Sequence, residues 1–228
     1  MRSLYTNEHK LILIEAAVES LDAALAAQEG GADRIELCAD LAHGGTTPEI
    51  QLLRQSRSKL TIPVFVLARP RPGDFVYTDA EHDTLLHQIQ RAKNAGAHGI
   101  VTGELNNARQ IAEGRMRELL DAARPLPVTF HRAFDECVDL GAALEVLIRL
   151  GVHRVLTSGG ARTAADGTER LERLVTQAKE RIAILPGGGV TPQNVADLAR
   201  RTGVREVHFS VQDAEKVRLM RRALNFPR

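Results

Sequence analysis

The sequence predicts an α/β protein built as a single (β/α)8 TIM barrel, and three observations carry that reading. Eight short apolar runs each end abruptly in polar, glycine-rich or charged residues, and each is followed by a stretch compatible with a helix. The runs are rich in Val, Ile, Leu and Phe on both alternations, as strands buried on both faces require. At 228 residues the chain is short beside the roughly 250 of a typical barrel, which leaves room for one lean domain over residues 1–228 and no second one.

In order, the predicted strands are 11–15, 34–38, 64–69, 99–103, 128–131, 154–158, 183–187 and 206–210. After the first, Ser20 is placed to cap a helix over 21–29, which Gly30 and Gly31 terminate. A helix over 80–95 ends at Gly96 before the fourth strand, and one over 140–150 ends at Gly151 before the sixth. Helices over 168–180, 192–201 and 212–224 complete the later half. Glu29-Gly-Gly-Ala-Asp33, Asn94-Ala-Gly-Ala-His98 and Arg149-Leu-Gly-Val-His153 read as one helix-stop and strand-start device used three times. No low-complexity tract and no repeat longer than the βα unit is visible.

Composition narrows the function. The 30 Lys plus Arg nearly cancel the 29 Asp plus Glu, so no global field favours a nucleic acid or an anionic membrane. Aromatics at 4% supply few stacking surfaces for bases. No stretch approaches the roughly 18 consecutive apolar residues of a membrane span, and the first ten residues do not read as an export signal. Cys38 and Cys137 fall after the second and fifth strands, too far apart around a ring to be bridged, and reduced thiols fit a cytoplasmic protein.

Barrels carry their reactive groups after the strands, which assigns Glu15, Glu36, Arg69, Arg71, Glu104, His131, Ser158 and His208 to one mouth. Glu36, between Ile35 and Leu37, is expected to face inward with Arg34 and Cys38 and to pair with Arg69 or Arg132. Glu15 ends the first predicted strand in the same way. Two carboxylates beside a histidine can divide acid and base roles, so Glu15, Glu36 and His131 are the candidate catalytic groups; an ion pair closing the barrel is the structural alternative for Glu36. His131 reads as a general base, a metal ligand or a hydrogen-bonded interior histidine. Arg69-Pro-Arg-Pro-Gly-Asp74 holds two guanidinium forks on a proline-stiffened loop, suited to a carboxylate or phosphate or else simply an exposed turn. With Arg69 and Arg71, the candidate ligand-binding residues are Arg132, Ser158, Gly187, Gly188 and Gly189; the triple glycine lets backbone N–H groups approach an anion, or merely serves a tight turn.

Gly30-Gly-Ala-Asp-Arg-Ile-Glu-Leu-Cys38, Gly44-Gly-Thr-Thr-Pro48, Arg69-Pro-Arg-Pro-Gly-Asp-Phe75, Val128-Thr-Phe-His-Arg-Ala-Phe-Asp135, Val155-Leu-Thr-Ser-Gly159 and Leu185-Pro-Gly-Gly-Gly189 closely resemble the CutC family, named for copper homeostasis. The segments occur in order over nearly the whole chain. The resemblance implies a cytoplasmic, homo-oligomeric barrel associated with copper tolerance or copper binding. Three departures stand out. Ala17 occupies the place of a cysteine in the Glu-Val-Cys that ends the first strand of many relatives; Pro72 replaces a glycine; the segment after the eighth strand is shortened. Cys38 matches the second family cysteine, so a copper site here would recruit it with His131 and His208, because Met1, Met116 and Met220 lie at a terminus or in helical segments. Three readings stay open: a copper-homeostasis protein binding copper; a lyase- or isomerase-type barrel enzyme acting on a small anionic, phosphorylated or carboxylated metabolite; and a non-catalytic binding or assembly protein.

Overall fold

A computed structural model describes residues 12–225 of the chain. Eight strands alternate with eight helices: β1 Leu13–Val18, α1 Leu21–Glu29, β2 Arg34–Leu37, α2 Ile50–Lys59, β3 Val64–Leu67, α3 Asp79–Asn94, β4 Gly99–Thr102, α4 Glu113–Ala123, β5 Val128–Phe130, α5 Leu140–Leu150, β6 Arg154–Thr157, α6 Thr168–Ala178, β7 Ala183–Pro186, α7 Val195–Thr202, β8 Glu206–Ser210 and α8 Ala214–Asn225. All strand pairs are parallel, in the order β7-β6-β5-β4-β3-β2-β1-β8. β7 and β8 pack against each other and close the ring. This is the (β/α)8 barrel that the apolar runs predict.

Alternation along the strands separates two cores. Ile14, Ala16, Ile35, Leu37, Val64, Val66, Ile100, Phe130, Val155 and Val207 belong to the large apolar layer between barrel and helices. Ala17, Cys38, Phe65, Leu67 and Val101 form a small cluster inside the ring. Beside it the ring's interior holds Glu15, Arg34, Glu36, Arg154, Glu206 and His208, which places the chemistry inside the barrel.

The repeated helix-stop device has a physical basis beyond its glycines. Gly31, Gly96 and Gly151 take φ of 93, 88 and 79°, the left-handed turn that ends each helix. The residue two positions later then reaches back to the preceding strand: Asp33 Oδ2 accepts from Ile14 N at 2.7 Å, His98 Nδ1 from Val64 N at 2.9 Å and His153 Nδ1 from Val128 N at 3.3 Å. Each clamp fixes the start of an odd-numbered strand against the even-numbered one that follows.

The first strand differs from its predicted place. It runs Leu13–Val18 rather than 11–15; residue 11 lies outside the described residues. Glu15, expected at the strand's end where the apolar run stops, is 1% exposed and sits mid-strand, satisfied by Arg34 and His208. Helices α2 and α4 had no start signal in the sequence, since neither Glu49 nor Ala112 caps its helix with a side chain. By contrast Ser20 accepts from Ala23 N at 3.1 Å as predicted, and Asp139 caps α5 the same way from Ala142 N at 3.0 Å.

Candidate functional site

The inside of the barrel is layered by charge. At its base Arg34 bridges Glu15 and Glu206, with Arg34 Nη2 2.7 Å from Glu206 Oε2, and Arg154 Nε donates to the same Oε2 at 2.9 Å. The Phe65 ring lies against both guanidinium groups, 4.9 Å from Arg34 and 5.4 Å from Arg154. Two cations matched by two carboxylates make this layer a closed ionic plug, and the pocket begins above it.

Register sets the next layer. Glu15 lies beside Arg34 of β2 and His208 of β8, and Ala17 lies beside Glu36. His208 Nδ1 is 2.8 Å from Glu15 Oε1, and its Nε2 is 3.6 Å from Glu36 Oε2. Burial favours a neutral carboxyl at Glu15, but the Arg34 charge and the His208 hydrogen bond outweigh it and hold its pKa at about 2. Burial raises Glu36 to about 7: attraction to His208 opposes the shift and repulsion from Glu15 adds to it. His208 loses solvation on burial, yet its hydrogen bond to Glu15 and the Glu36 charge raise its pKa above the ordinary histidine value. Glu36 and His208 thus face each other at 3.6 Å as a carboxyl and an imidazole whose pKa values are both raised, while Glu15 is held ionised against the ring. Glu36 pairs with His208 rather than with Arg69 or Arg132 as the sequence suggested, because the β1–β8 closure brings His208 to it first.

His131 ends β5 inside the same cavity. Its Nδ1 accepts from Ala133 N at 3.2 Å, which leaves the ring proton on Nε2, and Nε2 has no partner among the described residues. Burial, reinforced by the Arg69 charge, drives its pKa down to about 3. Of the three readings the sequence allows, Nδ1 is occupied by the Ala133 N–H, and burial opposes the protonation that a general base undergoes. What it offers is a neutral N–H donor. The ring packs at a 49° tilt against Phe75 with centroids 4.8 Å apart, and Gly103 is required behind it, since a Cβ there would come within 2.9 Å of the imidazole.

Arg69 also lies over the Phe75 ring, its guanidinium carbon 4.7 Å from the centroid. Its Nη1 and Nη2 donate at 2.7 Å to the carbonyls of Gly45 and Gly73, so the fork braces two loops and only Nε is left without a partner. Arg71 is not at the pocket. It bonds Glu81 of α3 at 2.5 Å and Asp74 at 3.0 Å, because the loop turns it outward. Glu104 also faces outward, to His82 at 2.8 Å and Arg115 at 2.6 Å.

Arg132 is the cation that does face the cavity. Asp135 Oδ2 accepts from its Nε at 2.8 Å and Ser158 Oγ from its Nη2 at 2.9 Å. Asp135 Oδ1 in turn accepts from Thr157 Oγ1 at 2.5 Å and Gly160 N at 2.8 Å. Ser158 thus positions Arg132 from behind and does not line the pocket; Gly187 also stays out of the lining, whereas Gly188 and Gly189 are in it. A Cβ at Gly188 would lie 2.9 Å from Arg132 Nη1, and the residue takes φ of 92°. Sequence reasoning missed Asp135 as the organiser of this side and Lys216, which enters from α8 and donates to Ser210 O at 2.7 Å. Asp135 stands in the quoted Val128–Asp135 segment, so its signal was present; Lys216 lies in an ordinary amphipathic helix and had none. The cavity holds about 400 Å³, lined by Glu36, Cys38, Arg69, His131, Arg132, Gly188, Gly189, His208 and Lys216 among others.

The donors do not fit a tight Cu(I) site. Cys38 is buried on the pocket wall, but burial and the neighbouring Glu36 and Glu15 charges push its thiol pKa well above the ordinary value, which disfavours the thiolate that copper needs. Ala17 supplies no second sulfur, and Met116 and Met220 are buried in α4 and α8. The predicted set of Cys38, His131 and His208 does not converge. The potential metal-ligating group among the described residues is Glu15, Glu36 and His208, whose ligand atoms lie within 4.8 Å of one another, and it is a nitrogen and oxygen set.

Comparison with known proteins places this architecture. A human relative named copper homeostasis protein cutC homolog is 46% identical over 200 residues, covering 88% of this chain and 73% of its own length. A Mesorhizobium japonicum relative named family protein CutC is 47% identical over 205 residues, covering 90% of this chain and 80% of its own. The crystal structure of a CutC protein from Streptococcus agalactiae superposes with a TM-score of 0.83 at 34% identity, over 87% of this chain and 98% of that one. The CutC family model matches residues 12–213, from the first strand into the segment after the eighth, and the chain belongs to the CutC family.

Proposed function

We propose that this chain serves copper homeostasis, the role carried in its relatives' names, and that its mouth pocket does so by binding a small anionic molecule and exchanging a proton with it through His208. The observation that carries this reading is the Glu15–His208–Glu36 array at the floor of a cavity whose wall presents Arg132 and Lys216. Glu15 fixes the imidazole, as an ionised carboxylate does for a catalytic histidine, and Glu36 takes or returns the proton. The His131 Nε2–H donates a neutral hydrogen bond to a ligand oxygen. Proton transfer of this kind suits a lyase or isomerase step on a small metabolite. Two free thiols and charge balance agree with a cytoplasmic protein, and no described helix is long and apolar enough to cross a membrane. A homo-oligomer of single-domain subunits completes the proposal, testable by light scattering.

The direct test is a melting-temperature screen of small carboxylates and phosphorylated sugars, because a ligand at a hundredfold excess over its Kd stabilises the fold by about 2.7 kcal/mol. We expect a shift for at least one anion, retained in His208→Gln while turnover is lost. No shift across the screen would end this reading.

A second reading, copper as cargo of the same pocket, is favoured by one observation: Cys38 and His208 both line it. Cu(I) titration against a competing chelator separates the two. A tight one-to-one site lost in Cys38→Ser supports copper binding; a weak one unchanged in that variant rejects it.

A further inference from the structure

We propose that the rim between Arg132, the Gly188–Val190 backbone and Lys216 is a subsite for the phosphate of a phosphomonoester, with Asp135 as the residue that positions its arginine. The proposal rests on the anion-binding reading above and gives that anion a class and a place.

The loop after β7 is built with its donors free. Gly188 O accepts from Ala164 N at 2.8 Å and Gly189 O from Asn194 Nδ2 at 2.8 Å, which ties the carbonyls back to the surrounding loops. Thr191 N donates to Asn194 Oδ1 at 2.9 Å, whereas the N–H groups of Gly188, Gly189 and Val190 have no partner among the described residues. All three residues line the pocket. Successive unpaired N–H groups at a turn with positive φ, here 92 and 69° at Gly188 and Gly189, form a concavity suited to an oxyanion.

Arg132 closes one side. Its Nε and Nη2 are spent on Asp135 and Ser158, and Nη1 is the donor turned toward Gly188. Asp135 cannot be replaced in this arrangement by a neutral acceptor without loosening it, because its two oxygens also hold Ser158 N, Thr157 Oγ1 and Gly160 N. Lys216, 5.7 Å from the Phe209 ring, closes the other side. Two cations and three unpaired N–H groups on the wall of one cavity suit a tetrahedral dianion, which offers three terminal oxygens, better than a planar carboxylate, which offers two. Further in, the same cavity is lined by two side chains at least nine-tenths buried with unpartnered polar atoms, Arg69 Nε and His131 Nε2, at 4 and 5% exposure. They are available to hydroxyl or carbonyl oxygens of the ester's organic part, which then ends over His208 and Glu36.

The test is isothermal titration of the full chain with inorganic phosphate and with acetate, on the parent and on Arg132→Gln, Gly188→Ala, Asp135→Asn and Arg132→Gln/Asp135→Asn. Arg132 is half-exposed, so Arg132→Gln is expected to melt like the parent, which circular dichroism checks. We expect phosphate to bind more tightly than acetate, and Arg132→Gln to weaken phosphate about tenfold or more, as loss of a charge-assisted bond does. Gly188→Ala should weaken it by a similar factor. If Asp135 acts through Arg132, the double variant binds phosphate no worse than Arg132→Gln alone, whereas two independent structural effects would multiply. Phosphate binding unchanged in Arg132→Gln, or acetate bound as tightly as phosphate, overturns the subsite while leaving an anion pocket in place. Neither anion binding the parent overturns the subsite, and the anion-binding reading then rests on the wider melting screen.

Discussion

Glu15 and His208, separated by 193 residues in sequence, meet inside the barrel with Glu15 Oε1 2.8 Å from His208 Nδ1. Glu15 is itself held by Arg34, so one ionised carboxylate links the ionic plug at the base to the proton-carrying pair above it. Glu15→Gln keeps the shape and removes the charge. We expect the His208 pKa, raised in the parent, to fall in this variant, read by NMR titration of the ring signals. An unchanged His208 titration would show that Glu15 does not control the proton.

Glu36 tests whether the pair is structural. Its folded pKa of about 7 exceeds the unfolded value, so its contribution to stability is fully present below about pH 4.5 and is lost as pH rises toward 7. Glu36→Leu removes the charge and its desolvation cost while His208 keeps Glu15 as its partner, and is expected to fold at neutral pH with stability equal to the parent's or greater. Ligand-linked proton exchange should disappear. Urea unfolding decides: a variant that fails to fold would make Glu36 a structural ion-pair partner instead.

His131 moves stability the opposite way. With its folded pKa lowered to about 3, the stability it contributes is complete above about pH 6.5 and is lost as pH falls from there toward 3. His98 and His153, whose pKa values burial also lowers, act in the same direction because each must stay neutral to accept from a strand N–H. Between pH 6.5 and 4.5 His131 should cost the parent about 2 kcal/mol, set against the opposite change from Glu36 over the same window. His131→Gln should flatten that slope; an equally steep slope in the variant would assign the loss elsewhere.

Copper affinity should follow sulfur count. Cys38 N donates to Val18 O at 2.9 Å, and Ala17 and Cys38 lie in the same inner apolar cluster, so a thiol at 17 enters the same wall. We expect weak Cu(I) binding in the parent and at least a tenfold gain in Ala17→Cys, measured by chelator competition. Tight binding in the parent that survives Cys38→Ser would contradict this.

The barrel was readable because each strand announces itself as an apolar run and because glycines mark several helix ends. The site was only partly so. The inward-facing Glu36, Cys38, His131 and His208 followed from period-2 alternation and strand ends, and these residues do line the cavity. Arg71 was misplaced because a loop's composition does not say which way its side chains turn, and α3 offers Glu81 as a nearer partner than any ligand. Protonation states were the least legible property. His131 and His208 look alike in sequence, yet burial beside Arg69 pushes the pKa of one down, while Glu15 and Glu36 raise the other's against burial, and those neighbours come together only across strands.

The three clamps from Asp33, His98 and His153 join residues 19, 34 and 25 apart, short loops that close at little entropic cost. Each ties two neighbouring strands, a quarter of the ring, without help from the rest of it. The proton site has no such local support, because it straddles the seam between the first strand and the last. Acid–base competence therefore belongs to the finished circle: without β8, Glu15 keeps Arg34 but has no imidazole to hold.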